Sequence, residues 1–126
     1  MKSGLKHTSC TVVGDGNTAV AMGSGGLRVF ATPAMIALME NAAATAVSGE
    51  LPAGSTTVGM LVNIVHSRAT AVGEEVWATA ELREVDGRKL IFHVTAFDSG
   101  GVIGEGVHER MIVDREKFIN KLGIKN

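Results

Sequence analysis

The segment from Pro33 to Val47, PAMIALMENAAATAV, restricts the possible folds more than any other part of the chain. Apolar residues occupy nearly all of its faces, and Glu40 is its only charged residue. Thr32 is a good N-cap, proline is favoured at the first helical position and Ser48-Gly49 is a stop signal, so we expect a helix about 22 Å long. A helix that is apolar all round has to be buried on most sides.

The remainder of the sequence predicts β-strands. A first strand runs from about Lys6 to Val13, and four more follow the helix at about Thr57–Ala69, Glu75–Val85, Lys89–Phe97 and Val102–Val113. Asp86-Gly87 and Gly100-Gly101 are hairpin signals, so the later strands pair as an antiparallel meander. Asp114 can cap a short last helix that ends near Gly123. A long buried helix wrapped by a curved antiparallel sheet is an α+β hot-dog fold.

Composition predicts one folded domain spanning residues 1–126. Hydrophobic residues make up 45% of the chain and charged residues 20%, which argues against disorder. Aromatic residues reach only 4%, so the core must be built from small and β-branched side chains that suit close helix–sheet contacts. A net charge of −1 argues against a nucleic-acid-binding surface, because such surfaces concentrate positive charge.

The sequence carries no signal for export, membrane insertion or metal binding. The opening MKSGLKHTS has no apolar signal core, and no uncharged apolar run reaches the ~20 residues that a membrane-spanning helix needs. Cys10 is the single cysteine, which excludes an internal disulfide and a cysteine-cluster zinc site. The four histidines form no HxH or HxxxH pair. We expect a cytoplasmic protein without membrane contact or a metal site.

Glu40 is chemically out of place in its apolar helix. An ionised carboxylate inside a core is costly unless it is paired, and acid–base catalysis is one reason for a protein to keep one there. The structural alternative is that Glu40 points at solvent or at an arginine. Thr32 precedes Glu40 by eight residues, about 12 Å along a helix axis. A long side chain or a second chain would have to bring these two residues into one site.

Thr32 and His66 are two further candidates. A hydroxyl at the positive end of a helix can attack a carbonyl or hold water against it, whereas the structural alternative for Thr32 is a plain N-cap. His66 lies in the strand VGMLVNIVHSRA and shares a face with Met60, Val62 and Ile64, which places its imidazole on an apolar surface. The alternatives for His66 are a hydrogen-bonded core or interface residue and a catalytic base.

The last predicted strand carries two glycines and a polar pair. Gly104 and Gly106 lie inside the strand and indicate a bulge or a close approach of two backbones. His108 and Arg110 share a face, because side chains two residues apart point the same way. Gly59, early in its own strand, is either a packing glycine or a place where a backbone N–H faces a ligand.

Four stretches resemble the fluoroacetyl-CoA thioesterase branch of the hot-dog thioesterases. They are VFATPAMIALMENAA, VNIVHSRAT, ATAELREVDGRKLIFHVTAFD and GEGVHERMIVDREKF. The resemblance covers roughly Val29 to Leu122, and its most distinctive part is the ending HER-x-x-V/I-x-x-E-K-F. It implies a hot-dog fold and the hydrolysis of acyl-CoA thioesters to free acid and coenzyme A.

The resemblance also implies the site residues. Thr32 after Val-Phe-Ala, Glu40 of Leu-Met-Glu and the strand histidine His66 match the catalytic residues, and Gly59 and Arg110 match the substrate-binding ones. His66, with its charge tuned by Glu40, would act as general base on Thr32 or on a water that Thr32 holds. Gly59 and Arg110 would bind the acyl group or the developing oxyanion. No metal or redox cofactor is implied, because coenzyme A is part of the substrate.

The implied partners are an acyl-CoA substrate and a second copy of the chain. Hot-dog chains pair so that two sheets become continuous, so we expect a homodimer or a higher homo-oligomer that could mix Thr32 and Glu40 from two chains. One segment departs from the family. The fluoroacetate-specific member has aromatic residues in an apolar lid where this chain has Met22–Leu27, whose glycines and serine are typical of a mobile loop. We therefore expect a small or medium acyl-CoA substrate without fluoroacetyl selectivity.

Three alternatives share parts of these patterns. A hot-dog hydratase or dehydratase also uses a histidine with an acidic partner on an acyl thioester. A non-catalytic acyl-CoA-binding module would keep Arg110 but tolerate the loss of Thr32 and His66. A purely structural dimer gives no reason for Glu40 in an apolar helix.

Overall fold

Strands and helices follow the predicted order in the computed structural model, which describes residues 1–123. The strands are β1 (Lys6–Val12), β2 (Ser55–His66), β3 (Glu75–Asp86), β4 (Lys89–Asp98) and β5 (Gly101–Asp114), and the helices are α1 (Ala19–Met22), α2 (Thr32–Val47) and α3 (Arg115–Lys121). The five strands form one antiparallel sheet in the order β1-β3-β4-β5-β2. The predicted α+β architecture, with a long helix against an antiparallel sheet, is confirmed.

The core lies between α2 and one face of the sheet. Alternate residues of β3 and β4 are fully buried: Val76, Ala78, Ala80, Leu82, Leu90, Phe92, Val94 and Ala96. The buried residues of α2 recur at the spacing of one helix face: Met35, Met39, Ala42, Ala43 and Val47. Because alanine occupies several positions on both sides, the helix can lie close to the sheet, as the aromatic-poor composition predicts.

Most sides of α2 are buried or half-buried, as predicted, but one stripe of the helix is exposed. Ala37, Asn41 and Thr45 form an exposed stripe on the face opposite the buried one. The physical reason is that the sheet packs against one face of the helix, so the other side is left at the surface. The apolar run therefore overstates how much of the helix a single sheet covers.

The end of β2 and the presence of α1 differ from the sequence prediction. β2 ends at His66 rather than Ala69, because the N–H groups of Ser67 and Arg68 both turn to the carbonyl of Ile103. The short helix α1 was not predicted; the Thr18 hydroxyl accepts a hydrogen bond from the Ala21 N–H at its start. At its end Gly23 adopts φ +70°, a left-handed conformation that favours glycine. The exposed segment 22–27 therefore starts at Met22, the last residue of α1.

Gly104 and Gly106 mark a close approach between β5 and its neighbours, as the sequence indicates. A Cβ added at Gly106 would lie 2.1 Å from the Asn63 carbonyl oxygen of β2. A Cβ added at Gly104 would lie 2.8 Å from the Met35 side chain of α2 and 2.8 Å from the Val65 carbonyl oxygen. These glycines let β2 and the start of α2 lie close to β5.

We predict that Gly106→Ala lowers the free energy of unfolding by about 1–3 kcal/mol, because the added Cβ forces β2 and β5 apart. Urea or thermal unfolding measures the change. Gly49→Ala is the matched control: Gly49 is exposed and an added Cβ would meet no atom within 4 Å, so we expect a change below about 0.5 kcal/mol. Equal stability of the two variants would contradict the close approach.

Candidate active site

Thr32 and His66 form a direct hydrogen-bonded pair. Thr32 is the first residue of α2 and His66 the last residue of β2, and Thr32 Oγ1 lies 2.7 Å from His66 Nδ1. The N-cap position belongs to Ala31, and no side chain caps this helix end. The N-cap role considered for Thr32 is therefore wrong: its hydroxyl is committed to the imidazole. A hydroxyl within hydrogen-bond reach of a base has the geometry of an activated nucleophile.

The two nitrogens of His66 have different surroundings. Nδ1 contacts the Thr32 hydroxyl, whereas Nε2 is buried and no group within residues 1–123 forms a hydrogen bond to it. Burial lowers the pKa of His66 below its ordinary value of 6.5, because a charged imidazole is poorly solvated there, and the Arg68 backbone opposes this effect. His66 is therefore held neutral at lower pH than a free histidine, which suits a base.

A groove of about 260 Å³ opens over this pair. Its walls come from α1, from the chain just before α2 and from the chain just after β2: Ala19, Ser24, Val29, Phe30, Thr32, His66, Ser67, Arg68 and Ala69. The groove holds a hydroxyl, an imidazole and a guanidinium among apolar side chains. A concave site with a few converging polar groups is a typical place for a small-molecule substrate.

Arg110 anchors a second polar group on β5. Its Nε donates to Thr57 Oγ1 at 2.8 Å, its Nη2 donates to the Thr57 carbonyl at 3.1 Å and its Nη1 lies 3.2 Å from His108 Nε2. The whole residue is only 8% exposed. These contacts fix the plane of a buried guanidinium.

His108 is part of this support. Its Nδ1 lies 2.8 Å from the Leu61 carbonyl oxygen, which can only accept, so Nδ1 carries the proton and Nε2 accepts from Arg110. Burial lowers the pKa of His108, the Leu61 backbone opposes this, and the charge of Arg110 lowers it further. A neutral His108 can therefore accept a hydrogen bond from Arg110 without repulsion between two positive charges.

Glu40 and Gly59 lie next to Arg110. Glu40 Oε2 is 3.6 Å from Arg110 Nη1, and the glutamate side chain is 40% exposed. A Cβ added at Gly59 would lie 2.7 Å from Glu40 Oε2, so the absence of a side chain lets the carboxylate lie against the β2 backbone. Glu40 is therefore a half-exposed carboxylate paired with an arginine, a contact that the sequence analysis considered as its structural alternative.

The five predicted site residues therefore fall into two groups within one chain. Thr32 and His66 form the first, and Glu40, Gly59 and Arg110 form the second. Thr32 and Glu40 are separated by about 12 Å along α2. His66 is the last residue of β2 and Gly59 lies seven residues before it, about 23 Å away at 3.3 Å per residue. One chain does not bring all five residues to one point.

Three polar residues near the predicted site were given no role in the sequence analysis. Thr57 and His108 support Arg110; the shared face of His108 and Arg110 was a usable signal, but Thr57 becomes visible only once β2 is paired with β5. The third is Asp98, the buried last residue of β4, which accepts hydrogen bonds from Arg68, Thr70 Oγ1 at 2.8 Å and the Gly100 N–H at 2.8 Å. No sequence pattern indicated this contact between two loops.

Asp98 remains charged although it is buried. Burial alone would raise its pKa, but the hydrogen bonds from Thr70, Gly100 and Arg68, together with the charge of Arg68, hold the pKa below its usual range. The ion pair joins the chain after β2 to the turn after β4. Arg68 is thereby fixed at the edge of the groove over Thr32 and His66.

Within residues 1–123, no three or more histidine, cysteine, aspartate or glutamate side chains are grouped so that they could hold a metal ion. No helix in that range combines the length and apolarity required to cross a bilayer.

Comparison with known proteins identifies relatives of this chain. A model of the fluoroacetyl-CoA-specific thioesterase family matches residues 13–116. A fluoroacetyl-CoA thioesterase from Streptantibioticus cattleyicolor is 43% identical over 94 residues, which cover 75% of this chain and 68% of that protein. The range matched by the family model, residues 13–116, contains both groups of polar residues described above.

Solved structures agree with this relationship. A structure of a fluoroacetyl-CoA thioesterase matches with a TM-score of 0.92 and 36% identity, covering 100% of this chain and 98% of that one. A hot-dog-like protein from Thermanaerovibrio acidaminovorans matches with a TM-score of 0.89 and 22% identity, covering 98% and 91%, which shows a common fold. The predicted hot-dog fold is confirmed, and the chain belongs to the fluoroacetyl-CoA-specific thioesterase family.

Proposed function

We propose that this thioesterase hydrolyses acyl-CoA thioesters with Thr32 as nucleophile and His66 as general base. The observation that carries the proposal is the 2.7 Å contact between Thr32 Oγ1 and His66 Nδ1 at the groove. The same pair could instead hold a water that attacks the thioester. The direct contact favours Thr32 itself, because nothing separates the hydroxyl from its base.

The proposed reaction has two stages. Thr32 Oγ1 attacks the thioester carbonyl while its proton passes to His66 Nδ1, and the C–S bond then breaks as the sulfur takes up that proton. Water next attacks the Thr32 ester, its proton goes to Nδ1, and the free acid leaves as Thr32 is reprotonated. The positive end of α2 lies at Thr32 and stabilises negative charge on the carbonyl oxygen.

Glu40, Gly59 and Arg110 are proposed as the second half of the site. The half-exposed carboxylate of Glu40 would stabilise the imidazolium that forms on His66, and the exposed backbone of Gly59 would contact the acyl group. The role that we propose for Arg110 differs from the role predicted from the sequence. Because Thr57 and His108 already take most of its donors, we propose that Arg110 holds Glu40 rather than binding the substrate alone.

A homodimer would join the two halves. β2 is an outer strand of the sheet, and its second half exposes apolar side chains, namely Met60, Leu61, Val62 and Val65. An apolar, unpaired strand edge favours pairing with a second chain. If two β2 strands pair antiparallel about a two-fold axis at Asn63, the bulge between Gly59 and Leu61 brings His66 opposite Gly59 of the partner subunit. This register would complete two identical sites.

The proposed substrate is a small or medium acyl-CoA. Relatives are named for fluoroacetyl-CoA, but segment 22–27 of this chain consists largely of glycine and other small residues and is exposed. Such a segment supplies little apolar surface for selecting a fluorinated acyl group. The groove over Thr32 and His66 provides room for a short chain.

We predict that Thr32→Ala and His66→Gln each lower kcat/KM for acetyl-CoA and butyryl-CoA by about 100- to 10,000-fold, because each removes one member of the nucleophile–base pair. Thiol release measures the rate. Thr32→Ser should retain much of the activity and form an acyl adduct on residue 32 that intact-protein mass spectrometry detects.

Thr45→Ala is the control, since Thr45 lies exposed near the end of the same helix, and it should match the wild type. Unchanged turnover in Thr32→Ala and His66→Gln would overturn the site. Binding of acyl-CoA without thiol release would favour a binding module, and hydration of an enoyl-CoA would favour a hydratase.

We predict that His66 titrates below 6.5 and that kcat/KM has an acid limb governed by this group. Because burial disfavours the imidazolium, the neutral base persists as the pH falls through 6.5 and is lost only at lower pH. A histidine NMR titration, with the His66 signal assigned through His66→Gln, should give the same pKa as the acid limb. A His66 pKa above 6.5 would contradict the prediction.

We predict that two inactive variants complement each other across the dimer. In a heterodimer of His66→Ala and Glu40→Ala chains, one site receives intact Thr32 and His66 from one chain and intact Glu40 from the other, so about half the wild-type activity should return. Two affinity tags allow the mixed dimer to be purified and assayed by thiol release.

The matched control is a heterodimer of His66→Ala and Thr32→Ala chains. Both variants damage the same half of the site, so neither of its two sites is intact and activity should stay low. Equal activity of the two heterodimers would overturn the composite site, and elution of the wild type as a monomer would overturn the dimer.

A further inference from the structure

We infer that Arg68 is a specificity residue that binds a carboxylate at the far end of the acyl group, so that this enzyme favours CoA thioesters of dicarboxylic acids. The inference rests on the proposed function, because it takes Thr32 and His66 as the reacting pair. Arg68 lines the same groove as that pair and lies two residues after His66. No step of the proposed hydrolysis uses it.

A buried carboxylate, that of Asp98, holds the Arg68 side chain in place. Its Nη2 donates to Asp98 Oδ1 and to the Gly101 carbonyl oxygen at 3.1 Å, while the Asp98 side chain is only 2% exposed. A Cβ added at Gly100 would lie 2.9 Å from Arg68 Nη1, so the guanidinium lies against a glycine turn. A buried charge needs good pairing to be tolerated, and Asp98 obtains it by fixing Arg68 in one orientation.

The guanidinium keeps donors for a ligand. Within residues 1–123, Nη2 makes the hydrogen bonds of the Arg68 side chain, and neither Nε nor Nη1 forms one. The side chain is 44% exposed, and Arg68 is one of the residues that line the groove. A planar guanidinium that is held by one carboxylate and has further N–H groups at a ligand groove is suited to bind a second carboxylate.

The place of Arg68 favours the acyl end of the substrate over the phosphates of coenzyme A. The thioester carbonyl has to reach Thr32, and Arg68 borders the same 260 Å³ groove. The phosphates are separated from the thioester sulfur by the whole pantetheine arm, whereas the terminal carboxylate of a short diacid is only a few bonds from the carbonyl. The Arg68 guanidinium is therefore near enough to the reacting carbonyl to bind a carboxylate at the end of a short acyl group.

The test compares succinyl-CoA with butyryl-CoA, which has the same acyl chain length without the carboxylate. We expect the wild type to prefer succinyl-CoA in kcat/KM, and Arg68→Met to lower kcat/KM for succinyl-CoA by about 10- to 100-fold with little change for butyryl-CoA. Arg68→Lys keeps the charge but not the planar fork and should recover part of the preference. Arg83→Met, which removes an exposed arginine on β3 outside the groove, should behave as the wild type.

The outcomes separate this inference from the proposed function. Failure of the wild type to hydrolyse any of these thioesters would overturn the proposed function. Hydrolysis of butyryl-CoA with the same succinyl-to-butyryl ratio in wild type and folded Arg68→Met would overturn the inference alone. An equal loss on both CoA thioesters that disappears with butyryl-pantetheine, which lacks the phosphates, would assign Arg68 to coenzyme A and would also overturn it. Thermal unfolding of Arg68→Met shows whether the variant is folded.

Discussion

Close packing between α2 and the sheet lets Thr32 and Glu40, two polar residues of the helix, meet their partners on the strands. The contact at Gly104 illustrates the dependence: Gly104 pairs with His66 across β5 and β2, and its missing side chain leaves room for Met35, one turn after Thr32. The helix start can therefore reach the end of β2, where Thr32 and His66 meet. A larger residue at Gly104 would push the helix away from the strand that carries the base.

A missing side chain is also important nearer the start of β2, at Gly59. Gly59 allows the Glu40 carboxylate to lie against the backbone, and a buried network of Thr57, His108 and Arg110 holds that carboxylate. Arg110 donates to the unprotonated Nε2 of His108, and His108 Nδ1 donates to the Leu61 carbonyl, so the protonation of this buried histidine matches its partners. Each of the two groups of polar residues is thus held by its own contacts, and both lie along β2, an edge strand of the sheet.

The sequence predicted the parts of the fold that depend on local chemistry. Helix α2, the hairpin at Asp86-Gly87, the close approach at Gly106 and the Asp114 cap of α3, whose Oδ1 accepts from the Lys117 N–H, all follow from short-range signals. The exposed stripe on α2 was not predicted, because an apolar pattern does not reveal how many layers are available to cover a helix.

The site was harder to predict, because its contacts join residues that are distant in sequence. Thr32 and Glu40 were each noticed as residues out of place, but only the pairing of strands shows that one meets an imidazole and the other an arginine. Family resemblance supplied the set of residues without the division into two groups. Arg68 and Asp98 carry no local signal, since their contact depends on two loops that the sheet order brings together.

The buried Nε2 of His66 has a consequence for the direction from which a substrate can approach. A histidine with both nitrogens accessible can take a proton on one side and release it on the other, as a relay does. Here Nε2 is buried and Nδ1 faces Thr32, so in the proposed mechanism a proton taken from Thr32 has to leave from Nδ1 as well. The sulfur of the departing thiol and the Thr32 oxygen must therefore both lie beside Nδ1 in the tetrahedral intermediate, which admits only one face of the thioester.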